Sequence, residues 1–511
     1  MKSICRNGIL ALPLLLGLSH GAQASTPTDP DLGEAVANFA PEQVLSDDHG
    51  QHRHWLAIGR VIVRKSHCSG SLIDTRDADG IQDGPAYVLT AGHCVYSDAD
   101  RFIQNAPVSG RVIFNYFKDT QARQQTYSIV RIPWGTRRGG DIAIVELDRS
   151  LKQLMDDGIT PLKLTRQPAA AGSNVLIVGA PQSSFLTRVA CRQEASVDIF
   201  EEGFVWFDQL SNRCEGVRNG ISGSPVLTRY GNEILGVIGT TTRIGGPSMC
   251  GADEPCEIRD GTPQKSPDTN YATPVTSLDR CFNAGRFTSD NVDCPLGPAS
   301  DFEPRNDENY VRMLRNTEGG FDPLLWKQTF TSDQPFYRLK YTRTLADCAN
   351  GEGYGPARQS KGKEQDTSTH ALRAGPGFYF LCVMGQPHET VTVDRWSARN
   401  ARVYWRWALA GPSNLAPVYT LFESKKNTFT VTPVEVAPDL TDAGYQYKII
   451  PPQTSDCLNA EDYQRLGENQ SAFIVTVADG PKRVCLKGHD IVGNPSPVVD
   501  FQLLESTDKN E

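Results

Sequence analysis

The chain has 511 residues, a formal net charge of −9 and 13 cysteines. Its length is sufficient for about three domains with substantial hydrophobic cores. The acidic balance argues against nucleic acid as a partner, because proteins that bind nucleic acid present basic surfaces. This number of cysteines indicates an oxidising compartment rather than the cytosol.

The N-terminus has the features of an export signal. Lys2 and Arg6 precede an apolar run over residues 9–18, and Ala22-Gln23-Ala24, with small residues on either side of Gln23, follows it. This order predicts a cleavable signal peptide over residues 1–24 and a secreted or periplasmic protein. The apolar run is too short for a bilayer anchor, and no later stretch is long enough, so we expect no transmembrane anchor. Residues 25–55 lack a clear period, and a propeptide and an extended arm both remain open.

The cysteines predict a set of disulfides. Removal of the signal takes Cys5 with it and leaves an even number, and even numbers favour disulfide pairing. No CxxC pair occurs, and the histidines do not cluster beside cysteines at zinc-like spacing, so we predict neither a metal nor another cofactor. Pairing neighbours along the chain gives six predicted disulfides: Cys68 with Cys94, Cys191 with Cys214, Cys250 with Cys256, Cys281 with Cys294, Cys348 with Cys382 and Cys457 with Cys485.

The pattern over residues 56–294 is that of an all-β domain. Short apolar and β-branched runs alternate with Gly, Pro and Asp turns, without a long helical period. Such spacing predicts an antiparallel barrel or sandwich. The runs are Val61-Ile62-Val63, Tyr87-Val88-Leu89-Thr90, Val112-Ile113-Phe114, Ile142-Ala143-Ile144-Val145, Val175-Leu176-Ile177-Val178 and Ile234-Leu235-Gly236-Val237-Ile238.

The C-terminal part contains an internal repeat. Residues 295–320 are rich in Asp, Glu, Asn and Pro and are predicted to be a linker, and two copies of one unit follow, over 321–410 and 411–511. Alternating apolar residues and one disulfide per copy predict two immunoglobulin-like β-sandwiches. The repeated motifs are Tyr337-x-x-Lys340, Asp347-Cys348 and Leu381-Cys382-Val383-x-Gly385, then Tyr445-x-x-Lys448, Asp456-Cys457 and Val484-Cys485-Leu486-x-Gly488.

The first domain contains candidates for each role in hydrolysis by a serine. This chemistry needs a hydroxyl, a base, a group that orients the base, and donors for the oxyanion. His93, in Thr90-Ala91-Gly92-His93-Cys94, directly follows a predicted strand and is the candidate base. His67 is the other histidine between residues 56 and 222, and we expect it to be structural.

The remaining roles fall on an aspartate and a glycine-flanked serine. Asp141 opens an apolar strand after two glycines, where it can accept the imidazole N–H, although such an aspartate alone is often a turn residue. Ser222 is the candidate nucleophile, and its flanking glycines allow a tight bend that turns the N–H groups of Gly220 and Ser222 toward one oxyanion hole. Ser224 is the competing nucleophile, but Pro225 follows it directly.

Four motifs together resemble the chymotrypsin/trypsin-like serine proteases, over about residues 56–285. The chain order His, Asp, Ser is also that of the family. The resemblance implies two six-stranded β-barrels with the active site between them, with His93, Asp141 and Ser222 in the catalytic roles. The motifs are Cys68-Ser69-Gly70-Ser71-Leu72-Ile73, Thr90-Ala91-Gly92-His93-Cys94, Gly140-Asp141-Ile142-Ala143 and Gly220-Ile221-Ser222-Gly223-Ser224-Pro225.

Two positions depart from the animal members of this family. Ile221 stands where those members have an Asp that pairs with a newly cut N-terminal amine, so the chain looks more like the bacterial branch that includes glutamyl endopeptidases. Any inhibition by residues 25–55 is then expected to be steric. The implied specificity pocket has Gly216 at its floor and Ile238 and Thr241 in one wall, so the acidic residue that selects Arg or Lys is missing from its usual place.

Two functions remain to be compared. The leading prediction is a secreted serine endopeptidase that acts on protein or peptide substrates through an acyl-enzyme. The alternative is a non-catalytic surface-binding or adhesin protein on a protease-like scaffold, with binding by the C-terminal repeats. In the first repeat, Tyr404-Trp405-Arg406-Trp407 could present aromatic rings to a cell-surface or glycan ligand, or form sandwich core.

Overall fold

The computed structural model describes residues 31–505, except residue 35 and residues 77–79, 81–83, 97–101, 243–248, 290–292, 297–299, 305–308, 363–365, 412–415, 435–444, 455 and 468–469. The predicted signal peptide lies outside the described residues. Within the described ranges, no helix is long and apolar enough to cross a membrane.

A closed six-stranded barrel forms the first half of the predicted protease domain. Its strands follow the order β2-β3-β4-β7-β6-β5, and all its neighbours are antiparallel. The apolar runs of β4 and β7 pair directly, with Val88 opposite Val145 and Leu89 opposite Ile144, and these four side chains are at most 1% exposed. The elements are β1 (Ala40–Val44) in the preceding arm, then β2 (Ile58–Val63), β3 (Ser66–Leu72), β4 (Pro85–Thr90), α1 (Gly92–Val95), β5 (Phe102–Phe114), β6 (Gln125–Thr136), β7 (Ile142–Ser150) and α2 (Leu151–Asp156).

A second barrel lies within a ten-stranded sheet. The sheet order is β1-β9-β8-β12-β13-β16-β11-β10-β14-β15, and a bridge between Gln193 and Asn212 joins the ends of the six strands from β9 to β11. The all-β, double-barrel prediction is therefore confirmed. The added strands are β8 (Asn174–Gly179), β9 (Thr187–Arg192), β10 (Val197–Glu201), β11 (Phe204–Asn212), β12 (Pro225–Thr228), β13 (Ile234–Thr241), β14 (Cys256–Arg259), β15 (Thr262–Lys265) and β16 (Asn270–Pro274).

The N-terminal arm packs on the second barrel. Strand β1 pairs antiparallel with β9, at the edge of the ten-stranded sheet. Arg229 donates to both carboxylate oxygens of Asp31, at 2.8 and 3.1 Å. Trp55 is fully buried, and its indole N–H donates to Asn232 at 2.9 Å. The described part of residues 25–55 therefore packs on the folded domain, as either an arm or a propeptide would.

Two β-sandwiches follow a short hairpin. Sheets of three and five strands enclose the core of the first sandwich, and sheets of three and four strands enclose that of the second. The elements are β17 (Phe282–Asn283), β18 (Arg286–Phe287), β19 (Phe302–Pro304), β20 (Tyr310–Arg312), β21 (Leu324–Ser332), β22 (Phe336–Thr342), α3 (Ala346–Ala349), β23 (Arg358–Gln359), β24 (Asp366–Leu372), β25 (Gly377–Gln386), α4 (Arg395–Arg399), β26 (Arg402–Leu409), β27 (Val418–Lys425), β28 (Thr428–Val434), β29 (Gln446–Ile450), β30 (Gln464–Arg465), β31 (Phe473–Thr476), β32 (Lys482–Lys487) and β33 (Val499–Leu503).

The first sandwich begins earlier than the sequence predicted. Strands β19 and β20 lie inside the predicted linker 295–320, where β19 pairs with β21 and β20 pairs in parallel with β26. The polar composition concealed both strands because each contributes only one or two apolar side chains, such as the buried Phe302.

The two sandwiches repeat the same local contacts. The ammonium of Lys340 donates to two backbone carbonyls at 2.6 Å, and that of Lys448 donates to two carbonyls at 3.1 and 3.2 Å. In each copy a tyrosine hydroxyl, of Tyr354 or Tyr463, donates to the carbonyl of the half-cystine that follows the repeated Asp. The repeated Lys therefore holds one irregular loop in each copy, while the immunoglobulin-like assignment remains a prediction.

The first sandwich shares a hydrophobic core with the second barrel. The ring of Phe200, on β10, lies 5.2 Å from that of Phe378 and 5.0 Å from that of Trp405. Trp407 belongs to the same core, and Tyr404 to the core of the sandwich itself. The Tyr404 to Trp407 stripe is therefore core, and it does not form an exposed aromatic platform for a glycan.

The six predicted disulfides are all formed. Cys191, on β9, is bonded to Cys214, just after β11, so this bond lies close to the bridge that closes the second barrel. Cys281 is bonded to Cys294, and the loop that this bond closes carries the short hairpin of β17 and β18. The other four bonds join Cys68 to Cys94, Cys250 to Cys256, Cys348 to Cys382 and Cys457 to Cys485.

Candidate active site

His93 is held between a strand and a disulfide. It lies in α1, directly after β4, and its neighbour Cys94 is bonded to Cys68 on β3. The side chain of His93 is 30% exposed, so one face of the imidazole reaches solvent. The disulfide thus fixes the histidine loop against the first barrel and leaves the ring accessible.

Asp141 binds both the ring and the backbone of His93. One carboxylate oxygen accepts the ring Nδ1–H at 2.5 Å, and the other accepts the backbone N–H at 2.9 Å. The carboxylate is fully buried, and the Asp141 backbone N–H donates to Thr273 Oγ1 at 2.9 Å. These contacts leave Nε2 of His93 as the nitrogen that can take a proton from a nucleophile.

His93 and Asp141 shift each other's pKa in opposite directions. Burial lowers the pKa of His93, but the charge and hydrogen bond of Asp141 outweigh burial and raise the pKa above its ordinary value. Burial likewise raises the pKa of Asp141, but the facing imidazole outweighs burial and lowers that pKa. Asp141 is therefore ionised wherever His93 has to act as a base.

The turn that carries Ser222 is anchored to strand β3. The backbone N–H of Ser69 donates to the carbonyl of Ser222 at 2.8 Å, and the Ser69 hydroxyl donates to the carbonyl of Gly220 at 2.8 Å. On its other side the turn is paired with Ile238, since Gly223 N–H donates to the Ile238 carbonyl at 2.8 Å. Adjacent residues of β3, Cys68 and Ser69, therefore anchor the histidine loop and the serine turn.

The backbone of this turn requires glycine at two positions. Gly220 has a φ of +95°, and a Cβ added there would lie 2.3 Å from the backbone nitrogen of Gln182. Gly223 has a φ of +84°, and its added Cβ would lie 2.1 Å from the carbonyl oxygen of Ser69. Both positions combine a left-handed backbone with a close backbone neighbour, which L side chains do not tolerate.

The predicted oxyanion donors are free to bind a substrate oxygen. Within the described ranges, neither the backbone N–H of Gly220 nor that of Ser222 has a hydrogen-bond acceptor. No hydrogen bond joins the Ser222 hydroxyl to the His93 ring among these residues either. Catalytic hydrogen bonds often tighten only when substrate binds, so this arrangement is compatible with a serine activated by His93.

The competing candidates are unsuited to catalysis. The hydroxyl of Ser224 belongs to a fully buried residue, and a Cβ added to Gly179 would lie 1.8 Å from it, so substrate cannot reach Ser224. His67 is exposed at the end of the β2–β3 hairpin, opposite Ile62.

The residues of the implied specificity pocket have mixed environments. Ile238 is 1% exposed and packs in a core cluster that also contains Ile221, so the position that departs from the animal enzymes is held by apolar packing. The Thr241 hydroxyl donates to Asn270 at 2.8 Å. Gly216 lies against Glu42 of the arm, whose carboxylate forms an ion pair with Arg218. The charge of Arg218 is therefore balanced by that of Glu42.

Sequence reasoning missed a buried acid beside the site. Glu201, at the end of β10, is 6% exposed, and one of its oxygens accepts from Thr240 Oγ1 at 2.8 Å and from the backbone of Asp253 at 2.7 Å. Burial raises the pKa of Glu201 to about 7, and its charge helps to raise the pKa of His93. In the sequence, Glu201 precedes Glu202 and Gly203, so it looks like an ordinary charged residue of a surface turn.

Three neighbouring side chains at the site are of types that bind metals, but they are not suited to hold one. Cys68, His93 and Cys94 lie close enough together to share an ion. Since the two sulfurs are bonded to each other, no thiolate is available, and thiolates are what zinc requires of cysteine.

Comparison with known protein families gives a match for one part of the chain. Residues 68–237 match the trypsin-like peptidase domain family. No curated protein sequence matches the chain. The active form of the Rv3671c protease from M. tuberculosis is 16% identical, with a TM-score of 0.31, over 53% of this chain and 91% of its own. The MamO protease domain from Magnetospirillum magneticum is 14% identical, with a TM-score of 0.29, over 44% and 96% of the two chains. Human heparin binding protein is 17% identical, with a TM-score of 0.30, over 47% and 92%.

Proposed function

We propose that this chain is a secreted or periplasmic serine endopeptidase with Ser222 as nucleophile, His93 as general base and Asp141 as the carboxylate that orients the base. The observation that carries the proposal is the double hydrogen bond from His93 to the buried Asp141. Few structural roles require an aspartate to bind both the ring and the backbone of one partly exposed histidine. Six disulfides support an oxidising compartment.

The chemistry proceeds through an acyl-enzyme. Ser222 Oγ attacks the carbonyl carbon of the scissile peptide while Nε2 of His93 takes the hydroxyl proton. The oxyanion of the tetrahedral intermediate accepts hydrogen bonds from the N–H groups of Gly220 and Ser222. His93 then gives its proton to the leaving amine, the C–N bond breaks, and an ester on Ser222 remains. Water, deprotonated by His93, attacks the ester and releases the acid, which regenerates the Ser222 hydroxyl.

Strand β13 provides an edge for an extended substrate. Its pairing with β12 ends where Val237 faces Pro225, whereas its pairing with β16 continues to Thr241. Residues 239–241 therefore have one edge that β12 does not cover, directly beside the Ser222 turn and Asp141. An extended peptide can add to such an edge through main-chain hydrogen bonds, which favours an endopeptidase that accepts an unfolded segment.

The test compares two serines of the same turn. Ser222→Ala removes the nucleophile, so kcat for a casein or peptide-library substrate should fall by about 10⁶-fold. Ser224→Ala is the matched control, because it removes a buried hydroxyl from the same turn and should retain activity. Folding of both variants is checked by circular dichroism. Hydrolysis that survives in Ser222→Ala would reject the proposal.

A further inference from the structure

We propose that Arg60 and Ser69, a cross-strand pair of the first barrel, are positioning residues for the oxyanion hole carried by the second barrel. The inference rests on the proposed protease function. It assigns a role to two residues that belong to neither the proposed triad nor the predicted pocket. Arg60 on β2 lies opposite Ser69 on β3 in the strand register.

Arg60 binds one loop of the second barrel through four carbonyl groups. Its guanidinium donates to the carbonyls of Gln182 at 3.0 Å, Ser184 at 2.9 Å and Ala180 at 3.4 Å, and also to that of Pro181. The side chain is 6% exposed. Its guanidinium also lies over the ring of Tyr116, 4.8 Å from the ring centroid. The loop at residues 180–184 is therefore attached to the first barrel mainly through this guanidinium.

Ser69 connects the same loop to the oxyanion segment. Its hydroxyl accepts from the backbone N–H of Ala180 at 2.8 Å and donates to the carbonyl of Gly220 at 2.8 Å. One hydroxyl thus joins the loop bound by Arg60 to Gly220, the residue whose own N–H is a predicted oxyanion donor.

The loop lies directly behind that donor. The backbone N–H of Gln182 donates to the carbonyl of Asn219 at 2.9 Å, and the close approach of Gly220 to Gln182 described above leaves no space between the two segments. Movement of the loop would therefore move the peptide between Asn219 and Gly220, and with it the Gly220 N–H. Oxyanion donors act through fixed geometry, and loss of one such donor costs about 10²- to 10³-fold in kcat.

A purely structural role would not require this arrangement. The hydrogen-bond partners of the Arg60 guanidinium among the described residues are backbone carbonyls, with no carboxylate among them. Burial of an arginine without an anion is costly, whereas an apolar residue would pack at lower cost. An arginine is useful at this position because its guanidinium binds four backbone carbonyls of the loop simultaneously.

The test separates positioning from general stability. Arg60→Met and Ser69→Ala should each lower kcat for a peptide substrate by about 10- to 100-fold and leave KM nearly unchanged. The reason is that displaced oxyanion donors stabilise the transition state less, while the binding of the substrate itself does not depend on them. Affinity for a peptide aldehyde, whose adduct places an oxyanion in the hole, should fall in parallel. Arg188→Met is the control, since Arg188 is equally buried but pairs with Glu34 and Gln43 of the arm.

Each outcome decides a separate question. Folded Arg60→Met or Ser69→Ala protein with a wild-type kcat, or a kcat loss no larger than that of Arg188→Met, would overturn the positioning role alone. If Arg60→Met does not fold, Ser69→Ala decides, because it removes only the hydroxyl. A wild-type protein that neither hydrolyses peptides nor reacts with a serine-directed phosphonate would overturn the proposed function, and this inference with it.

Discussion

His93 is the residue whose environment the structure defines most fully. Its ring Nδ1–H donates to a carboxylate without solvent access, while the imidazole side chain as a whole is 30% exposed. Local motifs indicate His93, Asp141 and Ser222 as candidates, because each lies directly after or before an apolar strand, and their catalytic roles stay a prediction. Glu201 and Arg60 were not predictable in this way, since their partners lie far along the chain, up to 124 residues away in the case of Arg60.

The pH dependence of activity follows from the His93–Asp141 pair. His93 must be neutral to act as a base, and Asp141 raises the pKa of His93 above its ordinary value of 6.5. A plot of kcat/KM against pH should therefore rise with an apparent pKa above about 6.5. Asp141→Asn should lower kcat by about 10⁴-fold and shift the remaining profile to lower pH. An unshifted profile in this variant would contradict the assigned pairing.

Glu201 predicts a pH dependence of folding stability. Its folded pKa of about 7 lies above its ordinary value of 4.5, so the neutral form is favoured by folding. The resulting stability is fully present below pH 4.5 and is lost as the pH rises through 7. The Glu201→Gln variant cannot ionise there, so from about pH 4.5 to about pH 8 its unfolding free energy should rise relative to wild type by about 3 kcal/mol. Parallel urea denaturation curves of the two proteins measure this difference, and a constant difference would refute the assignment.

At the level of elements, apolar runs predicted strands well and polar ones poorly. Every quoted run between residues 61 and 238 lies in a strand, because a run of β-branched residues has few alternatives in a chain without helical periodicity. Strand β3 was less visible, since it is built around two small residues, Ser69, which binds the serine turn, and Gly70, which lies against Val61 and Val88 in the barrel. Strand β1 was missed because its pairing partner, β9, lies more than 140 residues away, as in the pair Gln43–Arg188.

At the level of the whole molecule, the chain has two different C-terminal units. The first sandwich shares a hydrophobic core with the second barrel. The second sandwich contacts the first through polar groups, as in the hydrogen bond from Arg312 to Asn494 at 2.9 Å. The repeat in the sequence predicted two similar units. It could not predict that one of them would be fused to the protease domain, because the shared core depends on Phe200 and its neighbours outside the repeat.

Truncation distinguishes these two units. Deleting residues 411–511 should leave kcat/KM within about twofold of the full chain, since the shared core stays intact. Deleting residues 321–511 should expose Phe200 and the other members of that core that lie on the ten-stranded sheet, and cause loss of soluble, active protein. Yield, thermal melting and hydrolysis are compared for both products. Full activity in the shorter product would show that the first sandwich is dispensable.

Covalent labelling of the nucleophile tests whether Ser222 is the reactive serine. The full chain is treated with a peptide phosphonate and digested, and the modified peptide is sequenced by mass spectrometry. We expect a single adduct on Ser222, which is absent from Ser222→Ala and forms much more slowly in an Asp141→Asn variant. An adduct on Ser224 or another residue, or no adduct in folded protein, would contradict this prediction.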